Sequence, residues 1–138
     1  FGIGIKESFR KSDSTHYNDE MTDLDILQLA LKPKVSSKSH VISGFGGGFQ
    51  NAGVGLSILK KLSEKLKGSF FIVSGSAIVC NNSARELKGK NFFQGVACAI
   101  TFNRGNLHNF NEALMDTKHE LGIISKDFTA DKFKEYGI

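Results

Sequence analysis

The sequence predicts an α+β fold, a two-layer sandwich with helices on one face of a mixed, mostly antiparallel sheet that lacks its first elements. Three observations carry that reading. Leu56, Leu59, Leu62 and Leu66 recur at helical spacing with Ile58 beside them, while Lys60, Lys61, Glu64, Lys65 and Lys67 take the other face. Ser69–Ser74 and Ala77–Cys80 are β-favouring runs separated only by Gly75 and Ser76, the pattern of a hairpin. Phe92–Phe102 is a further β-favouring run, read as a third strand, with Gly95 near its start.

Taken in order, Phe1–Ile5 alternates large apolar residues with glycine and reads as the end of a buried strand entering a tight turn. A domain rarely opens on such a segment, and the chain begins with Phe rather than Met. The expectation is that an N-terminal part is missing. Lys6–Met21 is polar and irregular and reads as a loop. Thr22 is a good N-cap, Asp23 and Asp25 suit the positive end of a helix dipole, and Leu24, Leu27 and Leu31 form an apolar face with Ile26 and Ala30. Pro33 ends that helix at about Lys32. Lys34–Gly48, rich in Ser, Lys and Gly, reads as a mobile segment. The helix from Leu56 to Lys67 is stopped by Gly68. Ala84–Asn91 reads as a charged turn and Asn103–Asn106 as a break. Leu107, Phe110, Leu114 and Leu121 then suggest a helix, and Phe128–Tyr136 another.

With 138 residues, 40% of them hydrophobic, the chain is long and apolar enough to bury a core. The net charge of +4 comes from scattered lysines without an aromatic-interleaved basic stripe, so nucleic acid is not inferred. No apolar run reaches transmembrane length. Cys80 and Cys98 have no metal-ligand spacing and sit in apolar runs. They read as small core residues in a reducing compartment, which points to the cytoplasm.

Gly44–Leu62 is the stretch with chemical content. A loop holding Gly44, Gly46, Gly47, Gly48, Gly53 and Gly55 runs directly into the helix that follows. Free N–H groups of a first helical turn, the helix dipole and absent Cβ atoms together suit a phosphate.

Two glycine patterns in this order resemble the GHKL family of ATP-binding domains, which includes DNA gyrase, the heat-shock chaperone, histidine kinases and mismatch-repair ATPases. The family's first box, Asp-x-Gly-x-Gly, is matched from its second position by Phe1-Gly2-Ile3-Gly4. Its second box, Gly-x-Gly-Leu-Gly-Leu, is similar to Asn51-Ala52-Gly53-Val54-Gly55-Leu56, with Asn51 for the first Gly. The helix, Gly68 and a strand ending in Ser74 follow in the family's order. Gln94–Phe102 looks like its last core strand, Gly95 matching the Gly of Gly-Thr and Val96 replacing the Thr. The resemblance covers residues 1–103, leaving 104–138 as a helical tail or the start of a following segment.

The resemblance implies ATP binding with Mg2+. Gly2 and Gly4 would pass close to the adenine end. Gly53 and Gly55 would offer N–H groups to the phosphates, within a box that also holds Asn51, Val54 and Leu56, and Gly95 would lie beside them. Leu56 and Ile58 are better suited to packing. Lys38 and His40 fall in the lid that the family places between its boxes, where a solvated side chain is the plainer reading. The family's Glu and magnesium-holding Asn, and the Asp that reads the adenine amino group, would precede Phe1, so the metal ligand is expected outside this chain. The function so implied is ATP binding within a histidine-kinase-like ATPase. The alternative is a non-catalytic interaction or sensor module on the same scaffold, toward which Asn51 and Val96 lean; a protein partner or dimerisation through the missing part or the tail fits either. Lys118-His119-Glu120-Leu121 looks like a phosphoacceptor motif. It lies after the glycine boxes instead of before them, with Gly122 and Ile123 replacing the usual Arg and Pro, and reads as helix surface. Glu112–Asp116 bears a faint likeness to the missing Glu and Asn box and is set aside, because only a circular permutation would place it correctly.

Overall fold

The computed structural model describes residues 2–33, 35 and 54–123. The order is α1 (Gly4–Lys11), α2 (Asp23–Ala30), α3 (Gly55–Lys65), β1 (Ser69–Gly75), β2 (Ala77–Cys80), β3 (Ser83–Glu86), β4 (Phe93–Thr101), a 3₁₀ turn at Arg104–Asn109, and α4 (Phe110–Glu120). The four strands form one sheet in the order β3-β2-β1-β4, and every pairing is antiparallel. The α+β architecture is therefore as predicted, with the three expected strands in a single sheet and α3 packed on it.

Side chains alternate across the sheet, so Phe70 and Ile72 of β1 face the same way as Ala77 and Val79 of β2. These four, with Leu27 of α2, form the main buried cluster, and Ile5, Leu24, Leu31, Leu56, Ala84 and Ile100 pack against it. A second cluster of Phe9, Ile26 and Ala30 joins α1 to α2 and also receives Ile5 and Leu56. A third, Leu62, Leu66 and Ala113 with Phe102, Phe110 and Leu114, fixes α4 to α3. Residues on both sides of the Asn103–Asn106 break thus share one body.

Local chemistry explains the element boundaries. Asp25 N–H donates to the Thr22 hydroxyl at 3.1 Å and Thr22 N–H to the Asp25 carboxylate at 2.9 Å, a reciprocal cap that starts α2. Helix α3 ends differently from the expectation. Lys67, not Gly68, takes the left-handed conformation (φ 52°), while Gly68 N–H closes the turn on the Ser63 carbonyl at 2.8 Å. Glycine is needed at position 68 for space: a Cβ there would run into the Thr101 carbonyl and lie 2.9 Å from Phe102 Cα.

Four further expectations are corrected. The expected strand end at Phe1–Ile5 does not hold over its described part: the chain is already helical at Gly4, and α1 continues to Lys11 in the presumed loop Lys6–Met21. The charged turn at Ala84–Asn91 contains most of a fourth strand, β3, which pairs with β2. The helix expected from Leu107 starts at Phe110, with Leu107 in the 3₁₀ turn before it. Cys80 and Cys98 are exposed instead of core, because Cys80 ends β2 and Cys98 lies on the edge strand β4. The calls on Lys34, Lys38, His40 and the remainder of Lys34–Gly48 other than Val35, and on Phe128–Tyr136, lie outside the described residues.

Three outcomes follow for stability. Gly68→Ala forces backbone to move at the α3–β4 junction and is expected to lower unfolding free energy by about 2–3 kcal/mol in urea titrations. Lys67→Gly, which relieves a left-handed non-glycine residue, should raise it by about 1 kcal/mol. The Thr22 donors hold the Asp25 carboxyl below the usual carboxylate range, and the Lys65 ammonium at 2.6 Å does the same for Glu120. Because both folded pKa values are depressed, their contribution is complete above the ordinary carboxylate range and lost as pH falls through the folded values. The double variant Asp25→Asn, Glu120→Gln should show a flatter acid limb than the parent in pH-dependent denaturation.

Candidate functional site

The end of β1 is where the elements bearing glycine meet. Gly4 opens α1 with φ 81°, and the next residue, Ile5, donates its N–H to Ser74 Oγ at 2.9 Å. No side chain of α1 itself caps that helix start, so a strand hydroxyl takes the role. A Cβ on Gly4 would lie 3.3 Å from Ser74 Oγ and 3.5 Å from the Gly95 carbonyl oxygen. Glycine at position 4 thus satisfies both a left-handed backbone and a close approach between α1, β1 and β4. Gly95 is buried, has φ 101°, and sits where β4 carries extra residues: Ser74 pairs with Val96, but Gly75 pairs with Phe93. The bulge turns the β4 backbone toward Gly4.

Beside this junction lies an open cleft of about 230 Å³ lined by Gly4, Ser74, Gly75 and Gly95 together with side chains of α1 and the aromatic rings of Phe92 and Phe93. Arg10 and Glu7 on its wall form a paired contact at 2.6 and 2.8 Å, which holds the Glu7 carboxyl below the usual range and raises the guanidinium. Asp23, also on the wall, accepts from Ser76 N–H at 2.8 Å and from the Ser76 hydroxyl at 3.0 Å. These acids are already engaged by structure.

The second glycine pattern ends at the start of α3. Val54 is the N-cap, without a side-chain bond, and the Ser57 hydroxyl donates back to the Val54 carbonyl at 2.8 Å instead of capping an N–H. No atom of the described residues lies within 4 Å of the place that a Cβ on Gly55 would take. Leu56 is half-buried and packs against both clusters that also receive Ile5. Each glycine opening a helix, Gly4 or Gly55, is therefore followed directly by an apolar side chain locked into the same pair of clusters.

Gly4 and Gly95 are thus brought together. Val54, Gly55 and Leu56 stand at a helix start rooted in the same core, Gly2 is exposed with open space around it, and Asn51 and Gly53 lie outside the described residues. Among the described residues no group of three His, Cys, Asp or Glu side chains is placed to hold a metal ion. Ser74 is the residue that sequence reasoning missed. In the sequence it reads only as the Ser that ends a strand, and its role as a helix cap gives no local signal, since its partner is 69 residues away. Likewise among the described residues, no helix is long and apolar enough to cross a membrane. Comparison with family models, with curated proteins and with solved structures finds no match to this chain.

Removing the Ser74 hydroxyl leaves the Ile5 N–H without its partner. Ser74→Ala is expected to cost about 1–2 kcal/mol and to speed hydrogen exchange at Ile5 and Lys6 more than at any residue of β1.

Proposed function

We propose that this chain binds ATP through its two glycine patterns, as part of a histidine-kinase-like ATPase. The observation that carries the reading is the shared anchoring of Ile5 and Leu56, which fixes the helix starts at Gly4 and Gly55 to one core. The α3 start supports a phosphate role. It has no side-chain cap, its serine is turned away, and no described residue occupies the Gly55 Cβ position, so its first N–H groups suit an anion. The Gly4–Gly95 approach supports a flat ligand at the other end, because both residues line the cleft without a side chain to fill it. Mg2+ would arrive bound to the phosphates, with its protein ligand outside the described residues. A cytoplasmic location follows from that reading, as ATP is supplied there. The alternative, an interaction or sensor module that keeps the scaffold without turnover, is favoured by the exposure of Ile3, Phe92, Phe93 and Val96 around the same corner.

Amide chemical shifts during ATP titration, with and without Mg2+, test the proposal even at weak affinity. The expected result is movement of the Gly4, Gly55, Leu56 and Gly95 signals together. Gly55→Val points its new side chain into empty space, so its melting temperature should stay near that of the parent while nucleotide-induced shifts shrink several-fold. Unmoved signals at these four amides, or a Gly55→Val titration identical to the parent, would remove the ATP reading.

A further inference from the structure

The two edges of the sheet are built differently. The β3 edge is four residues long and includes Arg85 and Glu86, both exposed, the short charged form that resists pairing with another strand. The β4 edge is nine residues long and holds no Lys, Arg, Asp, Glu or Pro. Val96 is 47% exposed, and Cys98, Ala99 and Thr101 are exposed too. Among the described residues β4 pairs only with β1, so among them its other edge has no strand partner.

We propose that β4 is a dimerisation strand, with Val96–Ile100 pairing antiparallel to the same strand of a second copy about a two-fold axis at Cys98. Beyond the bulge at Gln94 and Gly95, these residues pair regularly with β1, so their outer edge is also regular. Val96, Cys98 and Ile100 stand opposite Ser74, Ile72 and Phe70, on the helix side of the sheet; Ala97 and Ala99 stand on the other side. An axis at Cys98, perpendicular to the sheet, sets Val96 against Ile100 of the second copy. It also sets Ala97 against Ala99 of the second copy, and Cys98 against its own equivalent.

Branched side chains then meet branched ones, small ones meet small ones, and no like charges face each other. Moving the axis to Ala97 would draw the bulge into the ladder and set Val96 against Cys98, losing the match. Self-complementarity about one residue is what a second copy requires and an unrelated strand does not, which makes the copy the occupant. The chain's net charge of +4 resides elsewhere, as β4 carries none of it. Nothing in this pairing rests on nucleotide binding.

Sedimentation equilibrium of the 138-residue chain under reducing conditions should show a monomer–dimer equilibrium. Val96→Lys places a charge at a position already exposed in the monomer, so the fold tolerates it, as circular dichroism would verify. The substitution should raise the dimer dissociation constant by about tenfold or more. A short bismaleimide adds a geometric readout, since both thiols are exposed. Cys80→Ser, which leaves Cys98, should give covalent dimer efficiently, and Cys98→Ser, which leaves Cys80, should not. A chain that is monomeric at every concentration overturns the proposal. So does a dimer that Val96→Lys leaves intact, or one that crosslinks as readily through Cys80.

Discussion

The structure depends on how the last residues of β1 are held. Ser74 accepts from the first turn of α1, and two residues on Ser76 donates twice to Asp23 in the first turn of α2. Gly75 lies between them with φ 61°, and a Cβ on it would collide with the Asp23 carboxylate. Three consecutive small residues thus fix two helix starts against one strand end. Substituting bulk at any of them would separate the helices from the sheet before it disturbed the sheet itself, since β1 remains buried between β2 and β4.

At the other end of β1 the constraint is steric. Gly68 lets α3 turn into the strand while β4 passes close by, and the Asn103 N–H closes the corner on the Leu66 carbonyl at 3.2 Å. Lys61 and Lys65 of α3 both approach Glu120 of α4, at 3.6 and 2.6 Å. These pairs are exposed, so the apolar contact of Leu62 and Leu66 with Ala113 contributes more than the charges do. The resulting unit holds α3 rigid behind its own first turn, the part of the chain where the nucleotide reading places phosphate.

Features set by near neighbours were legible in the sequence. The cap of α2 lies within Thr22–Asp25, the turn of the first hairpin within Gly75 and Ser76, and the apolar face of α3 within its own leucines. Features set by distant partners were not. Gly2-Ile3-Gly4-Ile5 alternates with period two, so it resembles a strand; the helix forms because Ser74 captures the Ile5 N–H and because Ile5 and Phe9 reach buried clusters. Ser83–Glu86 is polar at every position but Ala84 and gives no strand signal, yet it pairs with β2 as an edge. The cysteines looked buried because their neighbours are apolar, but Cys80 falls at the end of its strand and Cys98 on the edge strand β4. The glycine patterns announced helix starts correctly only where α3 begins, since Gly4 needed its tertiary contact to become one.

The bonds that hold α1 and α2 span 69 and 53 residues, whereas β1 and β2 pair across a two-residue turn. Closing long loops costs entropy before any contact rewards it, so the hairpin and its neighbours order early and the two N-terminal helices dock late. The same asymmetry applies to the folded protein. Its cheapest partial opening releases α1 and α2 together from the end of β1 and leaves the sheet, α3 and α4 assembled. One glycine pattern travels with the part that opens and the other starts the part that stays, so a ligand bridging them would act as a clasp between an early-folding and a late-folding half.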